Sequence, residues 1–138
     1  MRYLKHGKRQ ASKGIALIEA LVAILILSIG ILGLVGLQAS MTRAQSSAKY
    51  RADAAYLASE IVGAMWIDKP NLASYATTAS SACSYQHCLD WVNKVTTGLP
   101  NGVGQVSVTP STGEVGLTVT WSVANEGTRS YVLATSIQ

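Results

Sequence analysis

The sequence predicts an α+β protein: one long N-terminal α-helix, membrane-spanning in its first half, packed on a small antiparallel β-sheet. Three observations predict this. From Ile15 to Leu37 the chain is apolar except for Glu19 and Ser28. From Gln38 to Lys69 apolar residues recur every three or four positions, and the first proline is Pro70. In the last third, apolar and polar residues alternate in three short segments separated by turn-like links.

The first element, residues 15–37, is long enough to cross a bilayer as a helix. Before it stand Arg2, Lys5, Lys8, Arg9 and Lys13, with no acid among them. The chain has 11 Lys+Arg against 7 Asp+Glu, and the excess belongs to this leader. Beyond it, six basic residues face seven acidic ones, so no specific nucleic-acid surface is predicted. A positive cluster just before an apolar run holds that end in the cytoplasm. Everything after Gln38 is then outside the cytoplasmic membrane, where disulfides persist.

A cleaved secretory signal has a shorter apolar region and a small-residue cleavage site; here Leu37 stands where the small residue is wanted. A plain, uncleaved signal anchor explains the charges and the length, but not Glu19. A charge at the centre of a spanning helix costs about 2.5–3.5 kcal/mol on insertion scales, and less near an end. A carboxylate there is a functional candidate by default.

The order of basic leader, Gly14 and "IALIEALVAILIL" resembles the N-terminal signal of type IV prepilins and pseudopilins. Gly14, Leu17, Ile18 and Glu19 fit that pattern, while Ile15 and Ala16 replace the usual Phe and Thr. The resemblance implies a prepilin peptidase that cuts after Gly14 and methylates Ile15. It makes Glu19 the assembly residue, facing the N-terminal amine of a neighbouring subunit. An incoming ammonium would relieve the cost of a carboxylate in lipid, so the charge would set the axial offset between subunits. Further along, Gly30, Gly33 and Gly36 lie three apart. They suit close helix packing in a membrane. They also suit a soft segment, since each glycine costs about 0.8–1.0 kcal/mol relative to Ala in a helix interior.

The text "LSIGILGLVGLQ", followed by a polar helix, resembles the PilV group of type IV minor pilins. That likeness covers roughly residues 10–66. It implies a pilin-like fold and a part in initiating fibre assembly, with a place in the tip complex that serves adhesion and twitching motility. The implied partners are the prepilin peptidase, other minor and major pilins, the inner membrane and the pilus assembly machinery. The implied location is the inner membrane with the body periplasmic, and later the fibre at the cell surface. A type II secretion pseudopilin is the alternative within this class. A membrane-anchored periplasmic scaffold with an uncleaved anchor is the alternative outside it. The organisation expected is a leader over residues 1–14, a transmembrane half-helix over 15–37 and a periplasmic pilin-like body over 38–138.

In the body, Met41, Ala44, Ala48, Ala52, Ala55, Ala58, Val62 and Met65 form a helical stripe. It thickens with Tyr56, Leu57, Ile61 and Trp66, and the helix is expected to run to about Lys69. A loop is expected over residues 70–103. Within it, a short helix from Leu89 carries Leu89, Val92 and Trp91 inward. Cys83 and Cys88 are expected to form a disulfide. With His87 they could instead ligate a metal, but a structural zinc takes four ligands and the other histidine, His6, lies in the leader. The sheet is expected over 104–138. Val106 and Val108 share one face of the first strand. Leu117, Val119, Trp121 and Val123 share one face of the second, and Tyr131, Leu133 and Ile137 share one face of the third.

No catalytic residues, metal ligands or cofactors are predicted. The acids Asp53, Glu60, Asp68, Asp90, Glu114 and Glu126 are scattered and read as solvated surface. The glycines lie in the apolar span and in turns rather than in a phosphate-binding pattern.

Overall fold

The computed structural model describes residues 13–77, 82–124 and 126–138. The leader expected over residues 1–14 lies outside them except for Lys13 and Gly14. The chain divides into two units, residues 1–44 and 45–138.

The first helix, α1, is Lys13–Ile67, and its N-terminal part forms the described portion of the first unit. Helix is the natural state of this segment because its backbone groups then satisfy one another, as a hydrocarbon environment demands. The α-helical pattern persists through Gly30, Gly33 and Gly36. Ser28, the hydroxyl in the apolar run, donates to the Ile24 carbonyl at 2.7 Å, so it adds no unpaired donor to the span. The large apolar side chains here are exposed throughout, Leu32 by 72%.

In the second unit, α1 supplies Ala54, Leu57, Ala58, Ile61 and Met65 to the core. Burial thus begins at Ala54, and the two alanines allow close approach of what packs there. Pro70 prevents the α-helix from continuing. A 3-10 helix over Lys69–Tyr75 follows and buries Leu72 and Tyr75. Helix α2, Gln86–Gly98, buries Cys88, Trp91 and Val95 along one face. Strands β1 (Val103–Thr109), β2 (Glu114–Val123) and β3 (Gly127–Ser136) form an antiparallel meander in that order. The register sets Leu117 opposite both Val106 and Leu133, Val119 opposite Tyr131, and Trp121 opposite Arg129. Val115, Leu117, Val119 and Trp121 are buried, and intervening residues of β2 are half-buried, the alternation expected of a sheet with one covered face. Gly113, at φ 68°, makes the β1–β2 turn. A Cβ there would also stand 2.3 Å from the Ile137 carbonyl oxygen. The outer edge of β1 is met by Thr77, whose N–H donates to the Val106 carbonyl at 2.9 Å and whose Oγ1 accepts from the Val106 N–H at 3.0 Å.

The α+β class, with a long helix on a three-stranded antiparallel sheet, is therefore as predicted. Four details differ. Ala48 and Ala52 are exposed, because steps of four advance 40° too far around a helix and rotate these positions off the core. Tyr56 and Trp66 also face outward, at 69% and 45% exposure; the core stripe follows residues 54, 57, 58, 61 and 65 instead. The loop expected over 70–103 holds a 3-10 helix and thirteen residues of α2. Within α2, Leu89 lies outward while Cys88, Trp91 and Val95 lie inward, since the inward face is fixed by Trp91 and its partner on α1.

Candidate functional site

The predicted processing and assembly residues lie in the first turns of α1. Gly14 and Ile15 are exposed, Ile15 by 66%. Ile15 and Glu19 are four residues apart and so share a helix face. Glu19 is exposed, with no hydrogen-bond or ion-pair partner among the described residues. A Cβ at Gly30, Gly33 or Gly36 would meet nothing within 4 Å. The three glycines leave a smooth, shallow strip on an apolar helix. Among the described residues, neither the carboxylate nor the strip has a contact partner.

The body carries a polar cluster where α1 ends. The Asp68 carboxylate accepts from Asn71 Nδ2 at 2.8 Å, from the Tyr75 hydroxyl at 3.1 Å and from the Tyr85 hydroxyl at 2.5 Å. The two tyrosine rings meet edge to face, with centroids 5.0 Å apart, and His87 lies parallel to Tyr75 at 6.4 Å. The hydrogen bond from Tyr85, followed by that from Asn71, holds the Asp68 carboxyl below its ordinary 3.8. Burial, followed by the bond to Asp68, pushes the Tyr75 hydroxyl well above its ordinary 10.0. Tyr85 is pushed up as well, chiefly by its bond to Asp68. Asp68 is thus a junction joining the 3-10 helix to the approach to α2, and not a free surface acid. Sequence spacing gave no signal for it, because Tyr75 and Tyr85 reach it from seven and seventeen residues away.

Cys83 and Cys88 are joined by a disulfide, with Cα atoms 6.1 Å apart, a separation usual for such bonds. Both sulfurs are therefore occupied, and His87 is left without the thiolates a metal site would need. Among the described residues, no three His, Cys, Asp or Glu side chains cluster as metal ligands. Trp91 donates from Nε1 to the Leu57 carbonyl at 2.8 Å and fixes α2 against α1. Lys94 pairs with Glu60 between the same helices, and that bond raises the Lys94 pKa.

The family model described as the prokaryotic N-terminal methylation motif matches residues 9–35. The match takes in Gly14, Ile15, Glu19, Gly30 and Gly33; Gly36 lies just beyond it. No curated protein and no solved structure matches the chain. The matched motif supports a type IV pilin-like precursor, of a pilus or a pseudopilus. It implies processing by a prepilin peptidase and association with the corresponding machinery, and it points to a structural role. With the apolar stretch of α1, long and apolar enough to cross a membrane by length and composition, it suggests membrane anchoring.

Proposed function

We propose that this chain is a minor pilin subunit of a type IV pilus, of the PilV kind, made as a precursor and cut between Gly14 and Ile15. The observation that carries the proposal is the methylation motif over residues 9–35, placed at the start of a helix whose large apolar side chains between Ile15 and Leu37 are all exposed. After the cut, Ile15 supplies a methylated amine, and Glu19 meets the amine of the next subunit. Pairing the carboxylate offsets its cost in lipid, and the smooth strip of Gly30, Gly33 and Gly36 lets neighbouring helices approach. The body, anchored in the inner membrane and facing the periplasm, joins other minor pilins in starting a fibre and stays near its tip. No bond-making chemistry is assigned to it.

Two measurements test this. Intact mass after co-expression with a prepilin peptidase should show loss of the leader and a methyl group on Ile15. Gly14→Val should block the cut while leaving membrane insertion unchanged. A leader that persists beside an active peptidase rejects processing and favours a plain anchored scaffold. Mass spectrometry of sheared fibres then separates the two assemblies. Presence in pili supports the minor pilin, whereas absence from pili with a defect in type II secretion on deletion assigns a pseudopilin.

A further inference from the structure

A cavity of about 200 Å³ lies on the body between α1 and the end of the sheet, lined by Ser47, Arg51, Trp121, Arg129 and Ser130. Ser47 and Arg51 stand four residues apart on one face of α1. Arg129 sits opposite Trp121 in the β2–β3 register and so points to the same face of the sheet. The lining therefore carries two guanidinium groups and no acid. Neither arginine has an ion-pair or hydrogen-bond partner among the described residues. Trp121 is 2% exposed, and its Nε1 is the buried side-chain polar atom without a hydrogen-bond partner among the described residues. Buried donors are almost always satisfied, and an orphan marks a place where a water or ion belongs.

These observations have one chemistry in common. Two guanidinium forks and an indole N–H are all donors and carry no acceptor. Two like charges beside one cavity repel each other unless an anion lies between them. Arginine pairs in planar, bidentate fashion with oxyanions. We infer that this cavity binds a small oxyanion of the phosphate class, held by Arg51 and Arg129, with the Trp121 N–H directed to it. The volume admits such a group together with some of its water. The ion can be free in solution or can be the headgroup of an anionic phospholipid. The inference does not depend on cleavage after Gly14 or on the kind of fibre.

The test uses the full chain, labelled with nitrogen-15, in a non-ionic detergent micelle. Inorganic phosphate is titrated in while chloride keeps the ionic strength constant. The three indole N–H signals are assigned through Trp66→Phe, which alters an exposed ring, and by their neighbours. The Trp121 signal should move saturably while those of Trp66 and Trp91 stay still. Arg51→Gln and Arg129→Gln, both at exposed positions, should each weaken the response on the order of tenfold, the effect of losing a charge-assisted hydrogen bond. A second arm replaces phosphate with phosphatidylglycerol doped into the micelle. A response to phosphate alone assigns a free ion, and a response in both arms assigns a site that also takes the lipid headgroup. No saturable shift of Trp121 with either probe overturns the inference. So does an undiminished response in both arginine variants, or an equal drift of all three indoles.

Discussion

The contact between Trp91 and Gly104 offers the sharpest test of how the body is held together. A Cβ added at Gly104 would stand 2.7 Å from both Cζ3 and Cη2 of Trp91, and 3.3 Å from Cγ2 of Val95. The ring cannot move away freely, because its Nε1 is tied to the Leu57 carbonyl at 2.8 Å. Gly104→Ala should therefore cost about 1–3 kcal/mol, the usual range for overpacking. Trp91→Phe removes the hydrogen bond and part of the ring. The Leu57 carbonyl lies inside a continuous helix and keeps its helical donor, so the bond itself accounts for about 1 kcal/mol. Lost packing brings the total to about 2 kcal/mol.

The double variant decides whether this geometry is right. Phe lacks the far edge of the indole, which is the part that the new methyl group would strike. The alanine methyl would then fill space the smaller ring leaves empty. Trp91→Phe with Gly104→Ala should therefore be more stable than the two single costs predict together, by about 1–2 kcal/mol. Urea unfolding of the full chain in micelles reads this, followed by the intrinsic tryptophan fluorescence, to which the buried Trp121 contributes in every variant. Costs that add to within about 0.5 kcal/mol refute the proposed contact. So does a Gly104→Ala variant as stable as the parent.

Three further predictions follow from other parts of the molecule. Glu19→Ala should insert and keep a stable body but be recovered poorly in sheared fibres, because an unpaired partner charge costs on the order of 3–5 kcal/mol; wild-type recovery would reject the register role. Asp68, held below 3.8, contributes stability that is full above about pH 4 and lost as pH falls through its folded value. Tyr75 and Tyr85, pushed above 10.0, contribute stability that is full below about pH 10 and lost as pH rises through their folded values. The thermal midpoint should thus hold between these limits and fall outside them, and Asp68→Asn should flatten the acid limb; an unchanged acid limb would refute the assignment. Reducing the Cys83–Cys88 bond, which closes a separation of five residues, should cost about 2 kcal/mol by loop entropy, read as a lower midpoint with reductant.

The parts of this fold that could be read in the sequence are those whose information is local. Leu117, Val119 and Trp121 alternate with Thr118, Thr120 and Ser122 because a strand repeats every two residues, and the structure buries the first set. The run from Ile15 to Leu37 is legible because membrane length needs no partner to be recognised. The helix stripe was legible only in outline. Alanines at 48, 52, 55 and 58 fit several rotations of a helix about its axis, and the choice fell to what covers it. The remaining features depend on pairs distant in sequence. Trp91 finds a carbonyl 34 residues away, Asp68 is completed by Tyr85 seventeen residues on, and the cavity beside Trp121 is assembled from α1, β2 and β3. No periodicity encodes such meetings.

The two units differ in what they leave unsatisfied, and this bears on how variants will behave. Among the described residues of 45–138, the polar groups where α1 meets the 3-10 helix and α2 are matched within the chain. Asp68 has three donors, Trp91 has its acceptor and Glu60 has Lys94. In residues 15–44 the large apolar side chains are exposed, Glu19 has no partner among the described residues and the three glycines have open space before them. Lipid accepts the apolar side chains at no cost, but it neither pairs a carboxylate nor recognises a glycine strip. In the proposed assembly those features would gain favourable energy from another helix that supplies an ammonium and a close surface. Substitutions at Trp91, Gly104 or Asp68 should therefore lower the unfolding midpoint. Substitutions at Glu19, Gly30 or Gly33 should leave that midpoint unchanged and lower the yield of assembled subunits. A Glu19 variant that unfolds more readily than its parent would break this partition, because it would place the carboxylate in the fold of the single chain.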